Sequence, residues 1–359
     1  MIIDHLCKIN RNRPKWRNPR LHPLGLILCV LFVLGTVCQS SSAQESASST
    51  KASKVQQKVT SQAKRYEKVG SFEDRRINES SGVASARPAA DGSASDAFWT
   101  FNDSGGDPVL FRVSYEGKTE AELRLKGAKN RDWESMCGIT VGEDAYLAVG
   151  DIGDNARKKK SYQIYVIAEP AVVPKLSDKG KLKAQKLGTN ASTIEFAYDD
   201  GSHNCEAMSY NTDDESFWFI EKVYVDDQRK SPPGIYVLSD AKFTGQAKKK
   251  NHKNVANRIA DFPVRNVTGM AFSPDNQRLV VRNYFGAWLF DKADGKTWQE
   301  TVAETKPKTF SLPLQSQGES ICFGADSRTL LITSEFKNAF IWKINLDQNV
   351  SKEKNETRK

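Results

Sequence analysis

One sequence unit recurs five times in this chain, and it constrains the fold more than any other feature. The unit is clearest in residues 132–155, DWESMCGITVGEDAYLAVGDIGDN, where two short apolar runs flank a Gly-Glu-Asp turn and the second run ends in acidic residues. This pattern predicts a β-hairpin. The five copies are separated by 55, 72, 62 and 51 residues and start at Glu79, Glu134, Glu206, Thr268 and Glu319. Self-similarity at such a period predicts a repeat architecture.

The strand count predicts an all-β fold, a β-propeller with five blades. Each of the first four copies has two further strand candidates after its hairpin, whereas the fifth has only one, at residues 339–344. A strand at residues 66–72 would supply the missing one and close the ring, so that no edge stays exposed between the first and last blades. Six blades remain an open alternative, because a further blade could lie in residues 171–188 or 241–255.

The ends of the chain differ in composition from the repeats. A basic segment and the apolar run 24–37 precede Ser41-Ser42-Ala43, which predicts a signal peptide over residues 1–43. The apolar run has 14 residues, and a membrane span needs about 20, so no transmembrane anchor is expected. Residues 44–64 have few large apolar side chains and are predicted to be a disordered linker. The propeller domain would cover residues 65–346, and residues 347–359 a charged flexible tail. Whether Cys38 carries a lipid stays open.

We therefore expect an exported protein, periplasmic or extracellular. Removal of residues 1–43 lowers the formal net charge from +9 to +4, so the basic character belongs partly to the signal peptide. We expect a monomer without a nucleic-acid partner. Three cysteines remain, Cys137, Cys205 and Cys322. They fall inside predicted strands, which favours buried free thiols, although one disulfide stays open.

Acidic residues recur where the hairpins begin and end. In an antiparallel meander, the start of the first strand and the end of the second lie at the same end of the sheet. In a propeller this end is one mouth of the central channel. Oxygen ligands of this kind suit calcium, although each glutamate could instead only fix the turn of its blade. The predicted calcium ligands are Glu79, Asp103, Glu134, Asp151, Glu206, Glu319 and Glu335.

The same mouth would hold the residues that bind a ligand. The ligand-binding candidates are Arg282, Lys222, Asn283 and Asn102. His203 and Glu206 are the candidates for proton transfer, because His203 lies on the loop that leads to Glu206. Two functions follow: a propeller that binds a small molecule or a protein at an acidic, calcium-containing mouth, or a metal-dependent hydrolase of phosphate or carboxylic esters. The sequence favours binding and leaves the ligand and the substrate undetermined.

Several short motifs resemble those of a largely uncharacterised family of secreted bacterial β-propellers. They occur in the order WTFNDSG (99–105), DWE (132–134), GDIGDN (150–155), NCEA (204–207) and VRNY (281–284). The resemblance extends over most of residues 77–345. The family is more distantly similar to phytase-like esterases and other calcium-binding propellers. That similarity implies a metal in the channel, held by the acidic residues named above. Those propellers commonly have six blades, whereas the present repeats predict five.

Overall fold

A computed structural model describes residues 65–88, 95–172, 175–176, 182–229, 231–241 and 254–347. The signal peptide, the linker and all but the first residue of the tail lie outside the described residues. Of the two insertions considered for a sixth blade, residues 173–174, 177–181 and 242–253 also lie outside them. The described chain is nearly all β, with one short helix. Twenty of its 23 strands form five groups of four, each an antiparallel sheet like those predicted from the repeats.

The strands of the first two groups follow one another along the chain. The first unit contains β2 (Ser80–Ser85), β3 (Ala97–Asn102), β4 (Val109–Ser114) and β5 (Thr119–Lys126). The second unit contains β6 (Trp133–Val141), β7 (Asp144–Asp151), β8 (Tyr162–Ala168) and β12 (Ser192–Tyr198). Between β8 and β12 lie β9 (Lys175–Leu176), β10 (Leu182–Lys183) and β11 (Gln185–Asn190).

The remaining groups are simpler, and the last one contains the first strand of the domain. The third unit contains β13 (Cys205–Asn211), β14 (Ser216–Glu221), β15 (Gly234–Leu238) and β16 (Asn254–Asp261). The fourth contains β17 (Val267–Phe272), β18 (Arg278–Asn283), β19 (Gly286–Asp291) and β20 (Lys308–Ser311). The fifth contains β21 (Ser320–Phe323), β22 (Thr329–Thr333), β23 (Phe340–Asn345) and β1 (Tyr66–Ser71).

The five units form a closed ring around an axis. Their first strands contact one another in the cyclic order β2, β6, β13, β17, β21 and back to β2. Five apolar cores lie between successive units, the last of them between the fifth and the first. This arrangement of radial antiparallel sheets is that of a β-propeller. The predicted pairing of the N-terminal strand is present, because β1 runs antiparallel to β23.

Two features of the outer strands were not expected from the sequence. Strand β11 adds to the first unit by pairing in parallel with β5. Strands β12 and β16 also pair in parallel, which joins the second and third units into one eight-stranded sheet. The helix α1 (Trp298–Glu304) begins with a capping box between Thr297 and Glu300, which satisfies backbone donors of its first turn. It places Trp298 in the core between the third and fourth units.

The cores bury large aromatic side chains, among them Trp99, Trp133, Trp218 and Trp298. Burial of a large apolar side chain stabilises a fold by about 1.5–3 kcal/mol. The three cysteines, Cys137, Cys205 and Cys322, are free and buried, in agreement with the preferred sequence prediction. Within the described residues, no helix is long and apolar enough to cross a membrane.

Candidate functional site

The first strand of a unit begins with a β-bulge. The bulge turns one side chain away from the regular alternation of side chains between the two faces of the strand. In four units the pairing register of the first two strands shifts by one residue. A bulge of this kind leaves one residue unpaired and re-aims its side chain. The extra residues are Ser81, Glu134, Glu206 and Thr268.

Backbone hydrogen bonds identify the equivalent residue in the fifth unit. The amide of Lys222 donates to Asn204 O, and the amide of Glu335 donates to Gln317 O. Glu206 and Glu319 each lie two residues after these acceptors, so Glu319 takes the fifth bulge position.

A second set of five residues lies at the ends of the second strands. In each unit it is the residue that comes directly after the paired part of the second strand. That set is Asp103, Ile152, Lys222, Tyr284 and Glu335. Together the two sets form what is called here the acidic mouth.

This register changes two of the sequence-based alignments. The sequence aligns Glu79 with the other first-strand glutamates, but Ser81 holds the bulge position of the first unit. The side chain of Glu79 is exposed. Asp151 pairs with Trp133 inside β7, so that Ile152, rather than Asp151, is the counterpart of Asp103. For Asp151 the difference is one residue, and a shift of one residue places a side chain on the other face of a strand. The bulges cause these differences, and the repeat pattern alone does not reveal them.

Three carboxyl groups meet between the first and second units. Oxygens of Asp103, Asp132 and Glu134 lie within 4.8 Å of one another. Glu134 is 5% exposed, and its carboxylate accepts no hydrogen bond and meets no cation among the described residues. Burial, followed by the charges of Glu206 and Asp103, raises the pKa of Glu134 well above its ordinary value. Burial also raises the pKa of Asp103, to about 7.

Neighbouring residues fix the shape of this carboxyl group cluster. Lys159 Nζ lies 3.1 Å from Asp132 Oδ2, and it is the cluster's nearest described cation. The chain passes so close at Gly153 that a Cβ there would come within 2.3 Å of Glu134 Oε1 and 2.7 Å of Asp132 Cγ. Asp151 Oδ1 accepts a hydrogen bond from Asp132 N at 3.1 Å. Asp151 therefore holds the loop that carries Asp132.

A lysine occupies the other side of the acidic mouth. Lys222 Nζ forms an ion pair with Glu206 and lies 3.6 Å from Glu319 Oε1. Burial alone would lower the pKa of Lys222, but the charges of Glu206 and Glu319 raise it above its usual range. The ammonium group also lies 5.2 Å from the ring centroid of Tyr284 and 5.4 Å from that of Tyr224, a cation–π distance.

Glu335 holds a proton at neutral pH. Burial, then the charge of Glu319 and a hydrogen bond with that side chain, raises the pKa of Glu335 to about 9. Glu319 also accepts hydrogen bonds from Ser81 Oγ and Tyr284 OH, each at 3.3 Å. Burial raises the pKa of Glu206 to about 8, although Lys222 opposes the shift. These increases have a simple cause, because a carboxyl group that ionises beside another carboxylate meets a like charge.

Three of the ligand-binding candidates contact protein rather than open space. Arg282 is fully buried, and its Nη1 donates to Ser320 O at 2.9 Å. Asn102 Oδ1 accepts from Asn78 N at 3.1 Å and Glu79 N at 3.2 Å. Asn283 Oδ1 accepts from the amides of Phe285 and Gly286 at 2.9 and 3.0 Å. These side chains hold loops and neighbouring units together, and Lys222 is the candidate that belongs to the acidic mouth.

His203 belongs to a separate polar network. Its Nδ1 lies 3.2 Å from Glu221 Oε1 and its Nε2 lies 2.7 Å from Asp200 Oδ1. The hydroxyl of Tyr236 lies 2.9 Å from the same Nε2. Glu221 is also bound by Arg229 Nη1 at 3.1 Å. Within the described chain, His203 makes no polar contact with Glu206, with which the sequence grouped it.

The sequence-based selection omitted several residues of this site. The selection did not include Asp132, although this residue starts the repeat unit. Ser81, Tyr224 and Tyr284 have no acidic group, so the acidic pattern does not identify them. The DWE motif, in which Asp132 and Glu134 flank a buried Trp133, could have identified Asp132. The tyrosines become relevant only because the ring places them beside Lys222.

Comparisons with known proteins give the fold some context. No family model matches the sequence, and no curated protein matches it. An oxidoreductase (glucose dehydrogenase) of Thermus thermophilus has a TM-score of 0.40 and 9% identity, over 78% of this chain and 99% of that one. A gluconolactonase of Xanthomonas campestris has a TM-score of 0.36 and 10% identity, over 72% and 70%. The WD40 repeats of RRP9 have a TM-score of 0.37 and 10% identity, over 78% and 97%. At these TM-scores and identities, the similarities support no conclusion about this chain.

Proposed function

We propose that this chain is an exported, monomeric five-bladed propeller that holds a divalent cation, calcium, and binds a ligand at its acidic mouth. The five four-stranded units are its blades, and β1 closes the ring. The cation ligands are Asp103, Asp132 and Glu134. The ligand is a small molecule or a protein and not a nucleic acid, because carboxylates dominate the mouth.

The observation that carries this proposal is the environment of Glu134. A carboxylate that is 5% exposed would normally have a cation or several hydrogen-bond donors, since burial of an unpaired charge is costly. Glu134 has neither among the described residues, and two further carboxyl groups face it. A bound cation would compensate all three.

The spacing and chemistry of the cluster suit calcium. Calcium binds oxygens at about 2.3–2.6 Å, so two oxygens of one coordination shell are at most about 5 Å apart. The oxygens of Asp103, Asp132 and Glu134 meet this limit. Calcium takes 6–8 oxygens, so backbone carbonyls and water would complete the shell. When bound, the cation would supply positive charge that attracts and polarises oxygen atoms of a ligand.

Calcium should therefore stabilise the mature protein. We expect a higher melting temperature in millimolar calcium than in chelator, because a ligand that binds only the folded state adds about 2.7 kcal/mol at a concentration 100 times its Kd. For a domain of this size, about 1 kcal/mol corresponds to roughly 2–4 °C. Glu134→Gln should abolish the calcium effect and leave the apo protein at least as stable.

A matched control removes a carboxylate from the opposite end of the same blade. Glu143 is exposed in the turn between β6 and β7, so Glu143→Gln should keep the full calcium effect. If calcium shifts neither protein, or if Glu134→Gln destabilises the apo protein strongly, Glu134 is a structural residue and the cation proposal fails.

A second candidate function is hydrolysis of phosphate or carboxylic esters. It is favoured by the position of Glu335 beside Glu319, where burial and the neighbouring charge raise the pKa of Glu335 to about 9, because a carboxyl group that stays protonated at neutral pH can act as a general acid. A screen of model esters with calcium and with chelator tests this function. Activity that is lost in Glu335→Gln and in chelator would support the hydrolase, and its absence in the wild-type protein would leave binding alone.

A further inference from the structure

A buried amide oxygen in the segment before β6 has no hydrogen-bond partner. It is Asn130 Oδ1, which is enclosed by protein and accepts no hydrogen bond from any of the described residues. Asn130 lies two residues before Asp132, one of the proposed cation ligands. Nearly all buried polar atoms in proteins are paired, so an unpaired one indicates that a water molecule or an ion binds there.

The hydrogen bonds of Asn130 fix the orientation of its side-chain amide. Nδ2 donates to Asn102 O at 2.9 Å and to Asp103 O at 2.7 Å. Both acceptors are backbone carbonyl oxygens, which only accept hydrogen bonds, so the nitrogen side of the amide faces them and the oxygen is on the other side. The same bonds attach Asn130 to the loop that carries Asp103, a second proposed cation ligand.

Asn130 is also fixed relative to Asp132. Trp133 Nε1 donates to Lys129 O at 3.0 Å, which closes a turn over residues 129–133, and the side chain of Trp133 is fully buried. Asn130 and Asp132 therefore belong to one short turn, and Asn130 Nδ2 connects this turn to the loop of Asp103. The unpaired oxygen lies where the two segments that carry these cation ligands meet.

We propose that Asn130 Oδ1 is a fourth protein ligand of the cation bound by Asp103, Asp132 and Glu134. This inference rests on the proposed cation site and adds a neutral oxygen to its three carboxylates. Asparagine amide oxygens are common calcium ligands, and calcium takes 6–8 oxygens in all. Backbone carbonyls and water would fill the remaining positions of the shell.

A cation satisfies this group of oxygens better than a water molecule does. Asn130 Oδ1 and the three ionised carboxylates of the site can only accept hydrogen bonds. A water molecule has two hydrogens to donate, whereas one cation can contact all of these side chains. Lys159, the nearest described cation, lies 3.1 Å from Asp132 Oδ2. Within the part of the chain that the structure describes, Lys159 forms no hydrogen bond with Asn130.

Calorimetric titration of the mature protein with calcium tests the proposal. Asn130→Ala should weaken calcium binding on the order of tenfold or more, since even the loss of a group that only supports a metal ligand lowers affinity by about 10–100-fold. Asn254→Ala is the matched control. Asn254 is also partly exposed, and its Nδ2 donates to a backbone carbonyl, Glu195 O, at 2.8 Å. It lies in β16, the outer strand of the third unit, so this variant should bind calcium as the wild type does.

Terbium luminescence distinguishes a ligand from a residue that only positions Asp103. Terbium(III) binds the oxygen ligands that calcium binds, and its luminescence decay rates in H2O and D2O give the number of coordinated water molecules. Asn130→Ala should show about one more bound water than the wild type, because water replaces the amide oxygen in the shell. Asn130→Asp retains an oxygen at this position and should show the wild-type number. This second variant also tests the proposal if Asn130→Ala does not fold.

Three results overturn the proposal and leave the site of three carboxylates intact, because the wild type still binds calcium in each of them. The first is an unchanged calcium affinity in Asn130→Ala. The second is a lower affinity with an unchanged number of bound waters, which would make Asn130 a positioning residue. The third is an additional water in Asn130→Asp. A wild-type protein that binds neither calcium nor terbium contradicts the cation site itself, and the role of Asn130 with it.

Discussion

At the scale of single residues, His203 illustrates how a group selected for catalysis serves stability instead. Both ring nitrogens have partners: Glu221 on one side, and Asp200 and the hydroxyl of Tyr236 on the other. The ring of Tyr198 packs edge-on against the imidazole. Burial alone would lower the pKa of His203, but Glu221 and Asp200 raise it above its ordinary value. The protonated ring therefore stabilises the folded protein.

The sign of this effect gives a pH prediction. Because the folded pKa of His203 is raised, its stabilising contribution is complete below the unfolded pKa, about 6.5. It is lost as the pH rises through the folded value. Urea unfolding at a series of pH values should show a decrease in the free energy of unfolding over this range that is absent in His203→Gln. An NMR titration that gave His203 a pKa below its ordinary value would contradict this expectation.

At the scale of elements, the pairing of β1 with β23 closes the ring. We expect deletion of residues 44–62 to leave stability unchanged, because their composition predicts a disordered linker. Deletion of residues 63–74 removes β1 and the core side chain of Phe72 and exposes the edge of β23, so the domain should unfold. Circular dichroism and urea unfolding measure both variants. Equal stability of the two would show that closure does not depend on β1.

The elements also show what the sequence could predict and what it could not. The five hairpins follow from short-range patterns of apolar and turn residues, which the sequence contains directly. The partner of β23 follows from the strand count, because the fifth repeat lacks one strand. Strand β11 and the parallel pairing of β12 with β16 depend on where distant chain segments meet, which no local pattern records. The register had the largest effect on the site: Ser81, two residues after Glu79, holds the bulge position of the first unit. Acidic composition predicts carboxylates at the mouth, and the register decides which acids meet.

At the scale of the whole molecule, the ring concentrates charge that separate blades could not bring together. The acidic mouth has five carboxyl groups at its ten positions, namely Asp103, Glu134, Glu206, Glu319 and Glu335. Lys222 is the only described cation among these positions. It contacts carboxylates of two units, Glu206 of its own and Glu319 of the fifth. Elsewhere in the mouth, Asp103 and Glu134 lie close to Asp132. A metal ion there would compensate the charges of these carboxylates, as Lys222 compensates those of Glu206 and Glu319.

Removal of this lysine should therefore destabilise the folded ring more than any surface charge does. Lys222→Met leaves Glu206 and Glu319 buried without their cation, and loss of one partner of a buried pair costs about 3–5 kcal/mol. Adding Glu206→Gln to the same chain should recover part of that loss, because it removes one of the unpaired charges. Lys118→Met breaks an exposed pair with Glu116 and should change stability far less, because solvent screens exposed ion pairs. Urea unfolding of the four proteins, wild type included, measures these differences. Equal effects of Lys222→Met and Lys118→Met would mean that solvent, rather than Lys222, compensates the carboxylates at the axis.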